Sequence, residues 1–165
     1  MTDLTTLTPL AWALSSRPRR VTVDNHTVAV RERWWHEAIG ARGLPGTPPA
    51  GPTLTRAEVW APADTVFTLL WRALAWGSGR YLRQNTRRLD SIAADVPRAE
   101  KLLATAAEKS RHDPAAAYTV LRPADRNEIR ALSPSFFTKF LYFAGGGAPD
   151  HPCLILFAGK PSTRA

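Results

Sequence analysis

Apolar residues recur at helical spacing through most of the chain after residue 52. Between Thr53 and about Leu121, one face of a predicted helix carries Val66, Phe67, Leu69, Leu70 and Leu74. A second predicted helix, residues 97–109, places Leu102, Leu103 and Ala106 on one face. Thr55-Arg56-Ala57-Glu58 has the spacing of a capping box. Asp113-Pro114 supplies a cap and a first-turn proline for a helix through Val120. We therefore expect a mainly α fold.

The first 52 residues have a different pattern. Two β-branched runs, 21–23 and 27–30, flank Asp24-Asn25-His26, which is suitable turn chemistry and predicts a small β-hairpin near the N-terminus. A helix from Arg31 to Ala41 follows with Trp34 and Trp35, for which core packing is favoured over base stacking. Gly and Pro then dominate residues 43–52. We expect an N-terminal segment, 1–52, and a helical domain, 53–165.

The segment after Leu121 predicts two short helices joined by a turn. Pro123-Ala124-Asp125 opens a helix through Leu132, and Ile129 and Leu132 point inward. Ser133-Pro134-Ser135 ends it, because a residue before proline avoids the α region. The next helix starts near Phe136 or Thr138 and runs to Ala144, so Lys139 is expected in its first turn.

A basic segment follows a predicted helix break at Gly77-Ser78-Gly79. Its arginines recur at intervals of three and four residues, so one helical face is expected to be basic: Arg80, Arg83, Arg87 and Arg88. Such a face suits DNA phosphates. A solvated helix face with no ligand is the alternative.

Charge and cysteine content narrow the function classes. The net charge of +8 and pI of about 10.5 favour a polyanionic partner, nucleic acid before a membrane surface, although a GC-rich genome also produces arginine-rich proteins. The single Cys153 excludes an intrachain disulfide and fits a cytoplasmic protein. One Cys and four scattered His do not form a zinc site. We expect no cofactor, no metal, no membrane span and a monomer.

Lys139 is the candidate nucleophile. A free lysine has a pKa of about 10.4 and is protonated at neutral pH. Burial and the positive end of a helix both favour the neutral amine. An ordinary amphipathic core helix whose lysine reaches solvent is the alternative on spacing alone.

Two parts of the chain resemble a known family. Residues 127–156 are similar to bacterial 8-oxoguanine DNA glycosylase-fold proteins of the helix-hairpin-helix DNA glycosylase superfamily. The similar sequence begins Asn-Glu-Ile-Arg-Ala-Leu-Ser-Pro-Ser-Phe-Phe-Thr-Lys-Phe-Leu-Tyr-Phe-Ala-Gly-Gly-Gly and ends Pro-Cys-Leu-Ile-Leu. Residues 76–80, with Arg87 and Arg88, resemble the central segment of that group. The resemblance implies base-excision repair on double-stranded DNA, and so a nucleoid-associated protein. It implies that Lys139 forms a Schiff base with the opened sugar.

The resemblance also implies a hairpin that contacts DNA: Ser135, Phe136, Phe137 and Thr138. In the superfamily pattern Pro-Gly-x-Gly-Thr-Lys, the two glycines are replaced here by Ser135 and Phe137. Phe136 and Phe137 are candidates to wedge or stack at an unstacked base.

Phe157 stands where the family has a catalytic aspartate that stabilises the cationic sugar. Residues 158–165 form a polar tail, whereas related proteins continue with further helices, so we expect a C-terminally truncated form. Two alternatives stay open. The protein is a DNA glycosylase/AP lyase with Lys139 as nucleophile, or it is a catalytically inactive DNA-binding or non-functional relative.

Overall fold

A computed structural model describes residues 23–146. Within this range the protein is mainly helical with one small two-stranded sheet, as predicted. The strands are β1 Thr27–Ala29 and β2 Thr53–Thr55. The helices are α1 Glu32–Gly40, α2 Arg56–Trp60, α3 Val66–Ser78, α4 Asn85–Ala93, α5 Val96–Ser110, α6 Pro114–Leu121 and α7 Pro134–Ala144. Short 3-10 turns lie at Gly79–Tyr81 and Pro123–Asp125.

The small sheet is antiparallel, as predicted, but its second strand comes from further along the chain. β1 pairs with β2, placing Val28 opposite Leu54. Val23 is helical, so the expected pairing of the run 21–23 with 27–30 is wrong at Val23; residues 21 and 22 lie outside the described residues. The observed pairing is stabilised because it buries Leu54, which is 4% exposed. It also places β2 directly before α2.

Polar caps fix where several helices begin. The side chain of Thr55 accepts a hydrogen bond from the backbone N–H of Glu58, and the carboxylate of Glu58 accepts one from the backbone N–H of Thr55. This reciprocal pair is the capping box predicted by the spacing. The carboxylate of Asp113 accepts a hydrogen bond from the backbone N–H of Ala116 and so caps α6, ahead of Pro114 at the first helical position.

The core lies around α3. Phe67, Leu70, Trp71 and Leu74 have no exposed surface, and α3 contacts α2, α5 and α7. The indole N–H of Trp71 donates to the carbonyl of Pro45 at 2.9 Å, which fixes the Gly/Pro-rich loop against α3. The predicted helix stripes therefore face a common core.

The segment before α7 differs from the prediction. A helix through Leu132 does not form, because Ala124 and Asp125 take positive φ values of 46° and 60°. Residues 126–133 are instead irregular, and the side chain of Arg98 on α5 bonds both the carbonyl and the carboxylate of Glu128. Ile129 and Leu132 are buried, as predicted, at 5% and 1% exposure.

Residues 23–146 were also searched for membrane spans and metal sites. None of their helices is both long enough and apolar enough to cross a membrane. In the same range, no three His, Cys, Asp or Glu side chains are grouped so that they could hold a metal ion.

Candidate active site around Lys139

Lys139 lies in the second turn of α7, not in the first. The helix begins at Pro134, so Lys139 is its sixth residue. The difference arises because Pro134 is compatible with the first helical position, whereas we expected it to end the preceding helix. Helix-dipole effects decline within the first turn. Whatever favours a neutral amine at Lys139 must therefore come from the surrounding side chains.

The side chain of Lys139 crosses α3 at Gly77. A Cβ atom at Gly77 would lie 2.9 Å from Cδ of Lys139 and 3.4 Å from its Cε. The terminal amine donates a hydrogen bond to the carbonyl of Ser135, one turn back on α7. Gly77 thus leaves the space through which the lysine stem passes between the two helices.

Phe136 brings a second cation to this site. The guanidinium carbon of Arg88, on α4, lies 3.5 Å from the ring centroid of Phe136, and Nζ of Lys139 lies 5.2 Å from the same centroid. Arg88 is only 3% exposed. Among residues 23–146, no carboxylate forms an ion pair with Arg88 or Lys139. Two positive side chains therefore share one aromatic ring, and the part of the chain that the structure describes supplies no acid to neutralise them.

A chain of hydrogen bonds holds Arg88 in place. Its Nη1 donates to Oδ1 of Asn85 at 2.6 Å and to the carbonyl of Arg83 at 2.7 Å. Asn85, fully buried, donates through Nδ2 to the hydroxyl of Ser78 at 2.9 Å. Ser78 in turn donates to the carbonyl of Leu74. The end of α3 is thereby linked to the guanidinium beside Lys139.

The Gly77-Ser78-Gly79 segment is therefore more than a helix break. The helix stops within this segment, as expected: α3 ends at Ser78, and Gly79 follows as its C-cap with a φ of +53°, which suits glycine. Gly77 gives room to Lys139, and Ser78 anchors Asn85. Each residue of the motif has a packing role that local sequence patterns do not reveal.

These surroundings shift the protonation of Lys139. Burial is the main cause that lowers the pKa of its amine, and the positive charge of Arg88 lowers the pKa further. Burial also lowers the pKa of the Arg88 guanidinium, which nevertheless remains charged. Partial burial was anticipated from the sequence, whereas the contribution of Arg88 was not.

The four expected DNA-contacting residues around the turn differ in exposure. Ser135 is exposed and Phe136 is half-buried, but Phe137 and Thr138 are buried at 0% and 6% exposure. The ring of Phe137 packs edge-on against Tyr118 of α6. Ser135 and Phe136 are therefore the members of this group with surface available to a ligand.

Few backbone N–H groups remain at the start of α7. Pro134 has no N–H, and the N–H groups of Phe136 and Phe137 both donate to the carbonyl of Ser133. An anion at a helix N-terminus needs free N–H groups. The start of α7 is thus poorly equipped to bind a phosphate through its backbone.

The four arginines of the basic segment do not form one helical face. Arg80 lies in a 3-10 turn and Arg83 lies in the connection before α4, which starts at Asn85. Within α4, Arg87 is exposed whereas Arg88 is buried. The expected basic face is wrong because the chain bends between Arg80 and Asn85, where Leu82 and Gln84 have positive φ.

A second arginine, Arg56, lies among aromatic rings next to this site. Arg56 of α2 lies 4.8 Å from the ring centroid of Tyr142 and 5.9 Å from those of Trp76 and Phe143. It donates to the hydroxyl of Tyr142. Trp76 directly precedes Gly77, and Tyr142 lies one turn beyond Lys139 on α7, so the rings and Arg56 brace the same two helices.

The family comparison fits this architecture. A family model described as "Putative 8-oxoguanine DNA glycosylase OGG-like protein" matches residues 21–157. The chain belongs to this family. The match covers α1 through α7 and therefore all the side chains around Lys139 described above. No curated protein and no solved structure matched the chain.

Membership of the family extends the resemblance seen in the sequence to the N-terminal part of the chain, where no specific similarity was apparent. Phe157, at the expected aspartate position, lies inside the match but outside the described residues 23–146. The same holds for the apolar run 153–156, whereas the polar tail lies outside both.

Sequence patterns did not identify Gly77, Ser78 and Asn85 as parts of the site. The similarity of residues 76–80 to the central segment of the family was the one available signal. Asn85 and Arg56 had no such signal, because nothing in their local sequence shows what they contact.

Proposed function

We propose that this protein is a DNA glycosylase-like base-excision repair protein that acts on double-stranded DNA, with the amine of Lys139 as its nucleophile. The observation that carries the proposal is the environment of Lys139: half-buried, beside Arg88, and without a carboxylate ion pair among the described residues. Such surroundings increase the fraction of neutral amine. Family membership supports DNA as the substrate.

The proposed chemistry is an attack of Nζ on C1′ of the damaged nucleoside. The N–C1′ bond forms as the glycosidic bond breaks, and the base leaves with the bonding pair and takes up a proton. The attached nitrogen loses a proton to solvent, and its lone pair forms the C1′=N bond as the C1′–O4′ bond of the sugar breaks. The released O4′ takes up a proton, which leaves a protonated imine, the Schiff base, between Lys139 and C1′. Oxidised guanine as the lesion follows from the family description alone.

Borohydride trapping tests this proposal. Borohydride reduces the imine to a stable amine, so duplex DNA with 8-oxoguanine should become covalently attached to the protein. We expect the adduct with the native chain and its loss in Lys139→Gln. Lys109→Gln is the matched control, because Lys109 is an exposed lysine in the last turn of α5. Equal adduct from Lys139→Gln and the native chain would exclude Lys139 as the nucleophile.

The second candidate function is DNA binding without catalysis. It is favoured by Phe157, since an aspartate that stabilises the cationic sugar contributes orders of magnitude to rate. In that case the same assay yields no adduct, while salt-sensitive binding to the duplex persists. Phe157→Asp separates a missing carboxylate from other defects: adduct formation that appears only in this variant assigns the defect to position 157.

A further inference from the structure

Arg88 takes no part in the bond-making and bond-breaking steps proposed above, yet it is a buried cation held beside Lys139. Its guanidinium is buried, stacks on Phe136 and is held by Asn85. Its buried Nε atom has no hydrogen-bond partner among residues 23–146. Burying a charge without an ion pair is costly, and most proteins avoid it. A positive charge kept in this position at such a cost calls for a function.

We propose that Arg88 is a positioning residue for Lys139: stacked on Phe136 and fixed through Asn85, it places a positive charge that favours the neutral form of the nucleophilic amine. The proposal rests on the proposed function, because a neutral amine matters only if Lys139 attacks the sugar. The cause is Coulombic repulsion, which raises the free energy of the ammonium form but not that of the neutral amine.

The other charged or titratable side chains on the helices that pack against α7 have partners other than Lys139 or are exposed. From α3, the residue that meets the Lys139 stem is the uncharged Gly77, and Arg72 donates to the carbonyl of Ala61. From α2, Arg56 is bonded to Tyr142 of α7 itself. From α6, Tyr118 packs on Phe137.

On α5, Arg98 pairs with Glu128, and the remaining charged side chains are exposed: Glu100, Lys101, Glu108 and Lys109. Arg80 and Arg83, which precede α4, are exposed as well. Of all these groups, Arg88 is the one whose charge acts on the pKa of Lys139.

The geometry depends on Phe136 and Gly77 as well. Phe136 lies against both cations, so the position of its ring links the position of Arg88 to that of Lys139. Gly77 determines the path of the lysine stem. Replacing Arg88 should therefore change the protonation of Lys139 without altering the course of its side chain.

The test measures Lys139 protonation directly on the full chain without DNA. Acetic anhydride labels neutral amines, and mass spectrometry of the digested protein gives the labelling rate of each lysine against pH. Exposed Lys109 is the internal reference. We expect the native midpoint for Lys139 to lie below that of Lys109, and to rise by about one pH unit in Arg88→Met. Arg87→Met, at the exposed neighbouring position, should leave it unchanged.

An unchanged Lys139 midpoint in folded Arg88→Met would overturn the proposal. Folding is checked by circular dichroism, because Arg88 is buried. If Arg88→Met does not fold, Asn85→Ala provides the test, since it keeps the arginine but removes its anchor; the midpoint should again rise, and no rise would overturn the proposal. Arg88→Lys, which retains a positive charge, should keep the midpoint closer to the native value than Arg88→Met does.

Failure of this inference is distinguishable from failure of the proposed function. The labelling experiment contains no DNA, so its outcome does not depend on adduct formation. If the Lys139 midpoint rises in Arg88→Met but no borohydride adduct forms, the effect of Arg88 on the amine stands and the glycosylase proposal fails. An adduct in the native chain, with no change of the Lys139 midpoint in Arg88→Met, would support the glycosylase proposal and overturn the role of Arg88.

Discussion

Gly77 and Lys139 approach each other so closely that the identity of one limits the position of the other. A methyl group at Gly77 would lie 2.9 Å from Cδ of Lys139, in the middle of the lysine stem. Cδ is followed by only one further carbon before the amine. Any movement of the stem therefore displaces the amine relative to Phe136 and Arg88.

Gly77→Ala should separate stability from chemistry. Alanine is favoured over glycine in a helix by about 1 kcal/mol, which offsets much of the cost of displacing the lysine stem. We expect the melting temperature to change little while the yield of borohydride adduct falls several-fold. Gly40→Ala is the matched control, because a Cβ at Gly40 of α1 meets nothing within 4 Å. Unchanged adduct yield in folded Gly77→Ala would contradict the predicted displacement.

Lys139→Met should stabilise the protein at neutral pH. Burial and the charge of Arg88 disfavour the ammonium form of Lys139 in the folded chain but not in the unfolded chain, so replacing the amine removes that cost. As pH rises through the lowered folded pKa, the native state releases its proton first, so native stability increases until the unfolded pKa of about 10.4.

The difference in melting temperature between Lys139→Met and the native chain should therefore shrink as pH rises toward that value. Calorimetry at a series of pH values measures it. Lys109→Met, at an exposed position, should show no comparable trend. A difference that is constant with pH would show that the folded pKa is not lowered.

The capping box at α2 should contribute measurably to stability. Thr55→Ala removes the side chain that accepts from the N–H of Glu58, so we expect a loss of about 1 kcal/mol in urea denaturation. Thr86→Ala, at an exposed residue in the first turn of α4, is the control and should change stability much less.

The stability that the Thr55–Glu58 capping box contributes should also depend on pH. Hydrogen bonds from the backbone N–H and hydroxyl of Thr55 lower the pKa of Glu58. Its contribution is fully present above the unfolded value of about 4.3 and is lost as pH falls through the lower folded pKa. Glu58→Gln should remove this acid dependence, and an unaltered acid transition would show that the carboxylate bonds contribute little.

Arg87 is the exposed arginine of α4 and a candidate phosphate contact. If it binds one phosphate, Arg87→Gln should reduce the slope of log affinity against log salt by about 0.9 for duplex DNA, whatever the sequence. Fluorescence anisotropy over a salt series provides the measurement. Arg33→Gln on α1, where the arginine is exposed and pairs with Glu37, supplies a control of equal charge change. Equal slopes for both variants would show that Arg87 does not contact a DNA phosphate.

Local patterns in the sequence predicted much of the helical fold. Helical periodicity places the stripe of α3 inward, and side-chain caps at Thr55 and Asp113 begin α2 and α6 where predicted. These features depend on residues three or four positions apart, which is why the sequence alone determines them. The family resemblance, which named Lys139 within its motif, rests equally on contiguous residues.

Long-range packing decided the rest. The strand that pairs with β1 lies beyond α1 in the sequence. The segment before α7 is irregular rather than helical, and its Glu128 is hydrogen-bonded to Arg98. The surroundings of Lys139 come from α3, α4 and α7, whose contributions at Gly77, Arg88 and Phe136 are far apart in the chain. No local propensity encodes such a meeting, because it depends on how buried faces fit together. The sequence by itself supplied the lysine, whereas the tertiary structure supplied the arginine charge and the gap at glycine that define its chemistry.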